Sequence, residues 1–367
     1  MSDPAIATAL TPLGFDDRVE ELFRPRAARG LTLGRVIRVD RGSSFVFTAS
    51  GPVRAESAPD HSRDSEDPVQ IAVGDWVTLR DDDLLENLVI DEILPRRSVF
   101  TRGDPGKATA RQVVAANVDT VFLVHALGGD MNLRRLEREL VLTWESGAQP
   151  VVVLTKADLL SDPSEGETAR ETAASVALDV PIHVTSVVTG LGMEELAAYT
   201  AGHRTVALLG ASGVGKSTLV NLLAGEELQK TREVRAFDDK GRHTTVAREL
   251  FPLSSGGVLI DTPGLRALAL WDADSGLAAT FPDIVSLTSE CRFADCKHRT
   301  EPGCAVIAAV EVGGLPRERL ESYLKLQEEL DDVAAQQEAR QRNMRDRRPE
   351  ASGNPAPGGK RGRRKKG

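Results

Sequence analysis

One eight-residue stretch constrains the fold of this chain more than any other. Its letters, GASGVGKS, satisfy the G-x-x-x-x-G-K-[ST] pattern and comprise Gly210, Ala211, Ser212, Gly213, Val214, Gly215, Lys216 and Ser217. An apolar run, VALL, enters it, and STLVNLLAG, which is typical of a helix, leaves it. Glycines let a backbone wrap phosphate groups at a helix N-terminus, where N–H groups and the helix dipole favour anions. The stretch therefore predicts a strand, a phosphate-binding loop and a helix in an α/β domain.

Residues in and after this loop predict a magnesium–phosphate site. We expect Lys216 to reach the β- and γ-phosphates and to take part in catalysis, and the Ser217 hydroxyl, beside Thr218 in the nucleotide site, to bind Mg²⁺. About 45 residues after Lys216, the run GGVLI leads into D-T-P-G, with Asp261 and Gly264. Asp261 at a strand end can hold Mg²⁺ through water, and the Gly264 N–H can contact the γ-phosphate. An ordinary turn is the alternative for these four letters.

A second motif indicates guanine recognition. The strand VVVL ends in Thr155, Lys156, Ala157 and Asp158, which follow the N/T-K-x-D pattern. The two carboxylate oxygens of Asp158 can accept hydrogen bonds from guanine N1–H and from its exocyclic amine, whereas adenine offers neither donor in that geometry. After the next strand, Ser186 lies in a T-S-V sequence that predicts weaker, backbone support of the base.

The order of these motifs is unusual. Ordinary G domains begin with the phosphate loop and end with the guanine motif, but here T-K-A-D lies about 55 residues before the phosphate loop. The same site can form if the sheet is opened at another connection and its former ends are joined. The order therefore predicts a circularly permuted G domain whose chain leaves just after D-T-P-G.

The flanking segments predict a multidomain chain. From Leu31, five short β-type runs within about 65 residues favour a small closed barrel of the OB-fold type, with a β-hairpin sandwich as the alternative. Before them, a proline-containing segment predicts a loose extension. The predicted organisation is an extension over 1–30, an RNA-binding OB-fold β-barrel over 31–100, a permuted α/β P-loop GTPase domain over 101–272, a small helical zinc-binding domain over 273–335 and a basic disordered tail over 336–367.

All three cysteines of the chain lie in one short segment. Cys291, Cys296, His298 and Cys304 read C-x4-C-x-H-x5-C. Three thiolates and one imidazole suit a tetrahedral zinc site with no open position for catalysis. Buried or redox-active thiols are the alternative. The pattern predicts one structural Zn²⁺ and argues against a disulfide framework.

The net charge of −9 conceals an asymmetry. From Arg340 onward the chain has eleven Lys or Arg against two acids, so the tail carries about +9 and the remainder about −18. A basic tail on an acidic body favours an anionic partner such as RNA, although a solubilising or disordered tail explains the same charges. No apolar run approaches the ~18 residues of a membrane span. The start MSDPAIATAL has no basic segment, so we expect a cytoplasmic protein with no membrane partner.

Taken together, these motifs resemble the ribosome small-subunit-dependent GTPase A family, over roughly residues 31–335. The resemblance rests on T-K-A-D, the phosphate loop, G-R-H-T-T at 241–245, D-T-P-G-L-R at 261–266 and the Cys/His set. It implies a factor in late small-subunit maturation, with rRNA as partner, that hydrolyses GTP to GDP and phosphate under stimulation by the subunit. We expect the protein to be a monomer. Thr155 replaces the commoner Asn, from which we expect modestly weaker guanine binding. The extension and the tail lie outside the resemblance.

The catalytic group is less clearly indicated. Leu265 occupies the position at which Ras-type GTPases carry a water-orienting Gln. His243 is the nearest polar candidate, and a merely solvated His is the alternative reading; Thr244 or Thr245 would contact Mg²⁺ and the γ-phosphate. The rival functions are a P-loop ATPase or small-molecule kinase, a non-catalytic RNA-binding scaffold that holds GTP, and a translation factor that also binds mature ribosomes.

Overall fold

The computed structural model describes residues 4–40, 42–57, 70–82, 87–104, 107–224, 249–253, 256–261 and 273–346. The N-terminal part contains helices α1 (Pro4–Leu10) and α2 (Asp17–Ala27), strands β1 (Thr32–Val39), β2 (Ser44–Thr48), β3 (Gly51–Ser57), β4 (Trp76–Asp82) and β5 (Asn87–Ile93), and the hairpin β6 (Val99–Asp104) and β7 (Lys107–Ala116). The middle contains β8 (Thr120–Ala126), α3 (Leu133–Ser146), β9 (Gln149–Thr155), α4 (Ser164–Ala174), β10 (Ile182–Val184), α5 (Met193–Ala198), β11 (Thr205–Gly210), α6 (Lys216–Ala224), β12 (Glu249–Pro252) and β13 (Val258–Asp261). The C-terminal part contains α7 (Asp274–Thr280), α8 (Pro282–Thr288), α9 (Ala305–Glu311) and α10 (Arg317–Asp346).

The middle part is the predicted α/β domain. Its strands run in the order β10-β9-β8-β11-β13-β12, with parallel neighbours except at the antiparallel pair of β12 and β13. Strand β8 is buried on both faces. Val121 and Leu123 pack into the core on one face of the sheet, and Phe122 and Val124 pack into the core on the other, so its residues are apolar without alternation. Helices cover both faces, as a parallel sheet requires.

Strands β1 to β5 form the closed barrel, because β4 pairs with β1 as well as with β5. Its interior is filled by Val36, Val46, Val77, Leu79 and Ile90, all 1% exposed or less. A hairpin sandwich would leave two open edges, so the barrel is the correct alternative. Strand β1 also pairs with β12, which joins the barrel to the G-domain sheet.

The N-terminal extension is folded, in contrast to the loose segment that its prolines predicted. Leu10, Leu13 and Phe23 are buried in the core that the barrel shares with the G domain. Asp16 caps α2 by accepting a hydrogen bond from the Val19 N–H at 2.9 Å. The buried apolar residues and the cap outweigh the cost of Pro25 inside the helix.

The C-terminal helices pack on α3 of the G domain. Arg319 of α10 is 4% exposed and pairs with Glu137 of α3 at 2.8 Å and with Asp283 of α8 at 2.8 Å. Its guanidinium also lies 4.4 Å from the centre of the Phe281 ring. Helix α10 continues to Asp346, and the residues from 347 onward lie outside those described. In the described part of the chain, no helix combines the length and apolar character that crossing a membrane requires.

Candidate nucleotide site and metal centre

The predicted nucleotide-binding motifs meet at one edge of the sheet. Strand β9 ends at Thr155, β11 at Gly210 and β13 at Asp261, and Thr185 follows β10. Since these strands are parallel, their carboxyl ends share an edge, which is where α/β sheets bind ligands. Permutation has therefore changed the order of the motifs in the chain and left their order across the sheet compatible with a single site.

Other predicted residues lie outside the described residues. These are His243, Thr244 and Thr245 within 225–248, and Gly264 and Leu265 within 262–272. Asp261 is the last described residue before the second of these gaps and lies at the end of β13. Their roles stay predictions.

The phosphate loop adopts the backbone that its glycines permit. Gly210, Gly213 and Gly215 have φ of 149°, 79° and 96°. A Cβ at Gly210 would collide with the Val124 carbonyl, so this position has no room for a side chain. The Lys216 ammonium donates hydrogen bonds to the carbonyls of Gly210, at 2.9 Å, and Ala211. It therefore lies against the loop, where an incoming phosphate would compete for it.

Thr155 connects the guanine motif to the phosphate loop. Its hydroxyl lies 2.6 Å from the Val214 carbonyl and 3.2 Å from the His125 carbonyl. A hydroxyl has one proton to donate, and the shorter distance assigns it to Val214. The Thr side chain thus fixes the spacing between the strand end that precedes Asp158 and the loop that would hold the phosphates.

The Ser186 side chain contacts Asp158, the carboxylate that the sequence predicts to read guanine, and the predicted backbone support of the base stays a prediction. The Ser186 hydroxyl donates to Asp158 Oδ1 at 2.6 Å. The Ser186 hydroxyl oxygen in turn accepts from the N–H groups of Val188 and Thr189, each at 3.2 Å. Ser186 is 1% exposed, so Asp158 is oriented by a group that is itself fixed. A carboxylate held in one orientation suits the two adjacent donors of a guanine edge.

The sequence analysis did not predict the buried pair of His125 and Glu139 beside the site. His125, at the end of β8, lies 2.9 Å through Nε2 from Glu139 Oε2. Glu139 also pairs with Arg135 at 2.8 Å, one turn earlier on α3. The available signals were a His that interrupts a continuously apolar strand and an Arg–Glu pair at i,i+4. Because the His125 carbonyl lies against the Thr155 hydroxyl, this group anchors helix α3 to the guanine motif.

The C-terminal part contains the candidate metal centre. The donor atoms of Cys291, Cys296, His298 and Cys304 lie within 4.8 Å of one another. His298 Nδ1 is 3.6 Å from Cys291 Sγ and 3.4 Å from Cys304 Sγ, and these two sulfurs are 3.9 Å apart, too far for a disulfide. Partial burial and the neighbouring thiols raise the pKa of Cys296 to about 11. A raised pKa means that forming the thiolate costs free energy, and a bound divalent cation would offset this cost. Three thiolates and one imidazole are a ligand set that fits zinc.

Comparisons with known proteins agree with this arrangement. Residues 93–271 match the family model described as RsgA GTPase. The chain is 46% identical over 336 residues to the small ribosomal subunit biogenesis GTPase RsgA of Streptomyces coelicolor, covering 91% of this chain and 90% of the relative. It is 43% identical over 318 residues to the protein of that name from Methanosarcina acetivorans, covering 86% and 84%.

Two crystal structures have the same overall fold. YjeQ from Thermotoga maritima superposes with a TM-score of 0.60 at 28% identity and covers 82% of this chain and 98% of its own. YloQ, described as a circularly permuted GTPase, gives a TM-score of 0.59 at 26% identity, with 82% and 96% covered. These similarities extend over most of the chain, and the chain belongs to the RsgA family of circularly permuted GTPases.

Proposed function

We propose that this GTPase acts on the small ribosomal subunit during its late maturation and hydrolyses GTP to GDP and phosphate when the subunit stimulates it. The observation that carries the proposal is that the sheet edge where the predicted guanine and phosphate motifs meet lies between two modules that each suit RNA, a closed five-stranded barrel and a Cys₃His module. The relatives over most of the chain are named for small-subunit biogenesis. The rRNA is the partner in this proposal, and the protein acts as a cytoplasmic monomer.

The nucleotide-binding roles follow from the site. Asp158, held by Ser186, reads the guanine edge, and the loop from Gly210 to Ser217 holds the phosphates. The Lys216 ammonium exchanges its hydrogen bonds to the loop carbonyls for hydrogen bonds to phosphate oxygens. Phosphate oxygens are charged and are therefore the stronger acceptors. Ser217 and Asp261, with Thr245, would hold Mg²⁺, which would neutralise charge on the β- and γ-phosphates.

The dependence on a partner follows from the residue after D-T-P-G. Leu265 cannot orient a water molecule, so we assign this task to His243, with Thr244 or Thr245 contacting the γ-phosphate. The stretch from Arg232 to Gly241, just before His243, is rich in charged residues, and this composition predicts that a partner is needed to bring His243 to the attacking water. The free enzyme should therefore reach the hydrolytic arrangement rarely. A tenfold stimulation needs about 1.4 kcal/mol of additional transition-state stabilisation.

The test is steady-state GTP turnover with isolated small subunits, large subunits, mature ribosomes and no RNA, at one salt concentration because phosphate contacts are salt-sensitive. We expect stimulation by small subunits alone, and a larger loss of the stimulated than of the basal rate in His243→Ala. Equal rates under all conditions would refute the assignment of the partner. Equal stimulation by mature ribosomes would indicate a translation factor, and no turnover with any partner would indicate a scaffold.

A further inference from the structure

The end of strand β8 lies between the two halves of the predicted nucleotide site. Val124 is in register with Gly210, where the phosphate loop begins. Ala126 is in register with Thr155, where the guanine motif begins. His125 is the residue between these two pairs. A displacement of this strand end would therefore change the spacing between the phosphate loop and the guanine motif.

The His125 side chain connects this strand end to helix α3. Its Nε2 lies 2.9 Å from Oε2 of Glu139, and the other carboxylate oxygen of Glu139 accepts from Arg135 at 2.8 Å. His125 and Glu139 are 8% and 5% exposed. Around this pair, β8 and α3 share an apolar core that includes Leu123 and Leu140. The pair is therefore a polar contact inside an apolar one.

A buried pair of this kind contributes little to the stability of the fold. Removing two ionisable groups from water costs free energy, and apolar residues can often replace such a pair without loss of stability. The two types of contact differ in geometry. Apolar side chains tolerate small shifts of a helix along a strand, whereas a hydrogen bond of normal length holds two particular atoms against each other. The pair therefore suits precise placement of the strand end better than it suits stability.

The opposite side of α3 contacts the C-terminal helices. Glu137 precedes Glu139 by two residues and so lies about 200° away around the helix axis. It is 2% exposed, pairs with Arg319 of α10 at 2.8 Å and accepts a hydrogen bond from the Ser322 hydroxyl. At the end of α3, the Glu145 carboxylate accepts from a backbone N–H of α7 at 3.0 Å. Polar contacts on both sides therefore hold α3 between the C-terminal helices and the nucleotide edge.

We propose that His125 and Glu139 are positioning residues through which the C-terminal helices set the nucleotide affinity. The C-terminal helices hold α3 at Glu137, and α3 holds β8 at His125. Strand β8 in turn lies in register with Gly210 and Thr155. A shift of the C-terminal helices therefore changes the spacing of the two motifs, on which simultaneous binding of base and phosphates depends. This inference rests on the nucleotide site proposed above and is independent of the partner's identity.

The first experiment compares His125→Gln, which keeps an N–H that can donate to Glu139, with the double variant His125→Leu/Glu139→Leu, which replaces the pair by apolar side chains. GTP and GDP affinities are measured by displacement of a fluorescent nucleotide, and stability by urea unfolding. The double variant should be at least as stable as the wild type and should bind both nucleotides about fivefold more weakly. His125→Gln should stay within about twofold of the wild type, as should the control Arg170→Gln, which removes an exposed ion pair on α4.

Turnover distinguishes a positioning role from a structural one. In the double variant, the KM for GTP should rise more than kcat falls, because the pair acts on nucleotide binding. The losses of GTP and GDP affinity should be equal, because the two nucleotides share the base and the β-phosphate. If the double variant does not fold, Glu139→Gln provides the same comparison, since it keeps the size of the side chain and weakens its hydrogen bonds to His125 and Arg135.

A double-mutant cycle tests the link to the C-terminal helices. Glu137→Gln keeps the size of the side chain and weakens its contact with Arg319, which retains its pair with Asp283. Alone, it should weaken GTP binding by about threefold, which corresponds to part of one hydrogen bond. Added to the double variant of His125 and Glu139, it should have no further effect, because the connection from α3 to β8 is already lost.

Four results would overturn the inference. Unchanged affinity in the double variant, with a loss of affinity in Asp158→Asn, would refute the positioning role and leave the proposed nucleotide site intact. Affinity, kcat and stability that fall together would show that the pair is only structural. Equal effects of Glu137→Gln with and without the pair would show that the C-terminal helices do not act through it. Unchanged affinity in both the double variant and Asp158→Asn would refute the inference together with the proposed nucleotide site.

Discussion

The orientation of Asp158 leads to a specific prediction for Asp158→Asn. The Ser186 oxygen accepts from the Val188 and Thr189 N–H groups, so its single hydrogen is directed at Asp158 Oδ1, 2.6 Å away. An Asn at this position must place its oxygen there in order to accept that hydrogen. Its amide nitrogen then takes the position of Oδ2. We expect Oδ2 to be the oxygen that accepts from the 2-amino group of guanine. The amide donor at that place would then face another donor in guanine and an acceptor, the 2-oxo group, in xanthine.

The magnitude follows from the hydrogen bonds that change. Losing one charge-assisted hydrogen bond costs about 1.5–3 kcal/mol, and the other becomes a neutral bond and loses about 1 kcal/mol. The sum of about 2.5–4 kcal/mol corresponds to a roughly 100- to 1,000-fold loss of GTP affinity. Xanthosine triphosphate should bind more tightly than GTP to this variant, which reverses the wild-type preference.

The assay is competitive displacement of a fluorescent nucleotide by GTP, xanthosine triphosphate and ATP. Asp162→Asn is the matched control, because Asp162 is an exposed acid in the same loop that accepts a hydrogen bond from the Ser164 N–H. Adding Ser186→Ala to Asp158→Asn should weaken the preference for xanthine, since the amide can then rotate. GTP affinity within about threefold of the wild type in Asp158→Asn would refute the assignment of guanine recognition to this carboxylate.

Further predictions concern the loop, the metal centre and the C-terminal helices. Lys216→Ala should lower GTP binding or turnover while zinc content, measured by elemental analysis, stays at the wild-type level. Cys296→Ala should do the reverse, with loss of metal and local unfolding; freshly purified wild type without zinc would contradict this. Thr155→Val should cost about 1 kcal/mol, roughly fivefold in GTP affinity by the same displacement assay, because the Val214 carbonyl loses its donor. Arg319→Met should cost about 3–5 kcal/mol in urea unfolding because it leaves the Glu137 carboxylate buried without its cation, and Glu137→Gln in that background should restore part of the loss. Burial already raises the pKa of Glu137, so the stability of Arg319→Met should be greatest at low pH and fall as pH rises through the folded-state pKa; a stability independent of pH would count against a buried charge.

Features that depend on short stretches of chain follow directly from the residues in those stretches. Gly210, Gly213 and Gly215 lie at positive φ because the loop needs conformations that only glycine adopts without strain. The continuous apolar run of β8 required burial on both faces and hence a parallel sheet. The clustering of Cys291 to Cys304 already brought four metal-binding side chains within reach of one another. Such signals are local, so they can be read without knowing the fold.

Contacts between residues that are distant in the chain become visible only in the fold. Thr155 and Val214 are 59 residues apart, Ser186 and Asp158 are 28 apart, and Arg319 and Glu137 are 182 apart. The register of β1 against β2 shifts by one residue between Val36 and Arg38, and this bulge has no clear sequence signature. The folding of the N-terminal helices depended on a core supplied by other segments, which local propensity does not contain. The chain encodes each side chain, but its partner is set by strand register and helix packing, and these are properties of the whole fold.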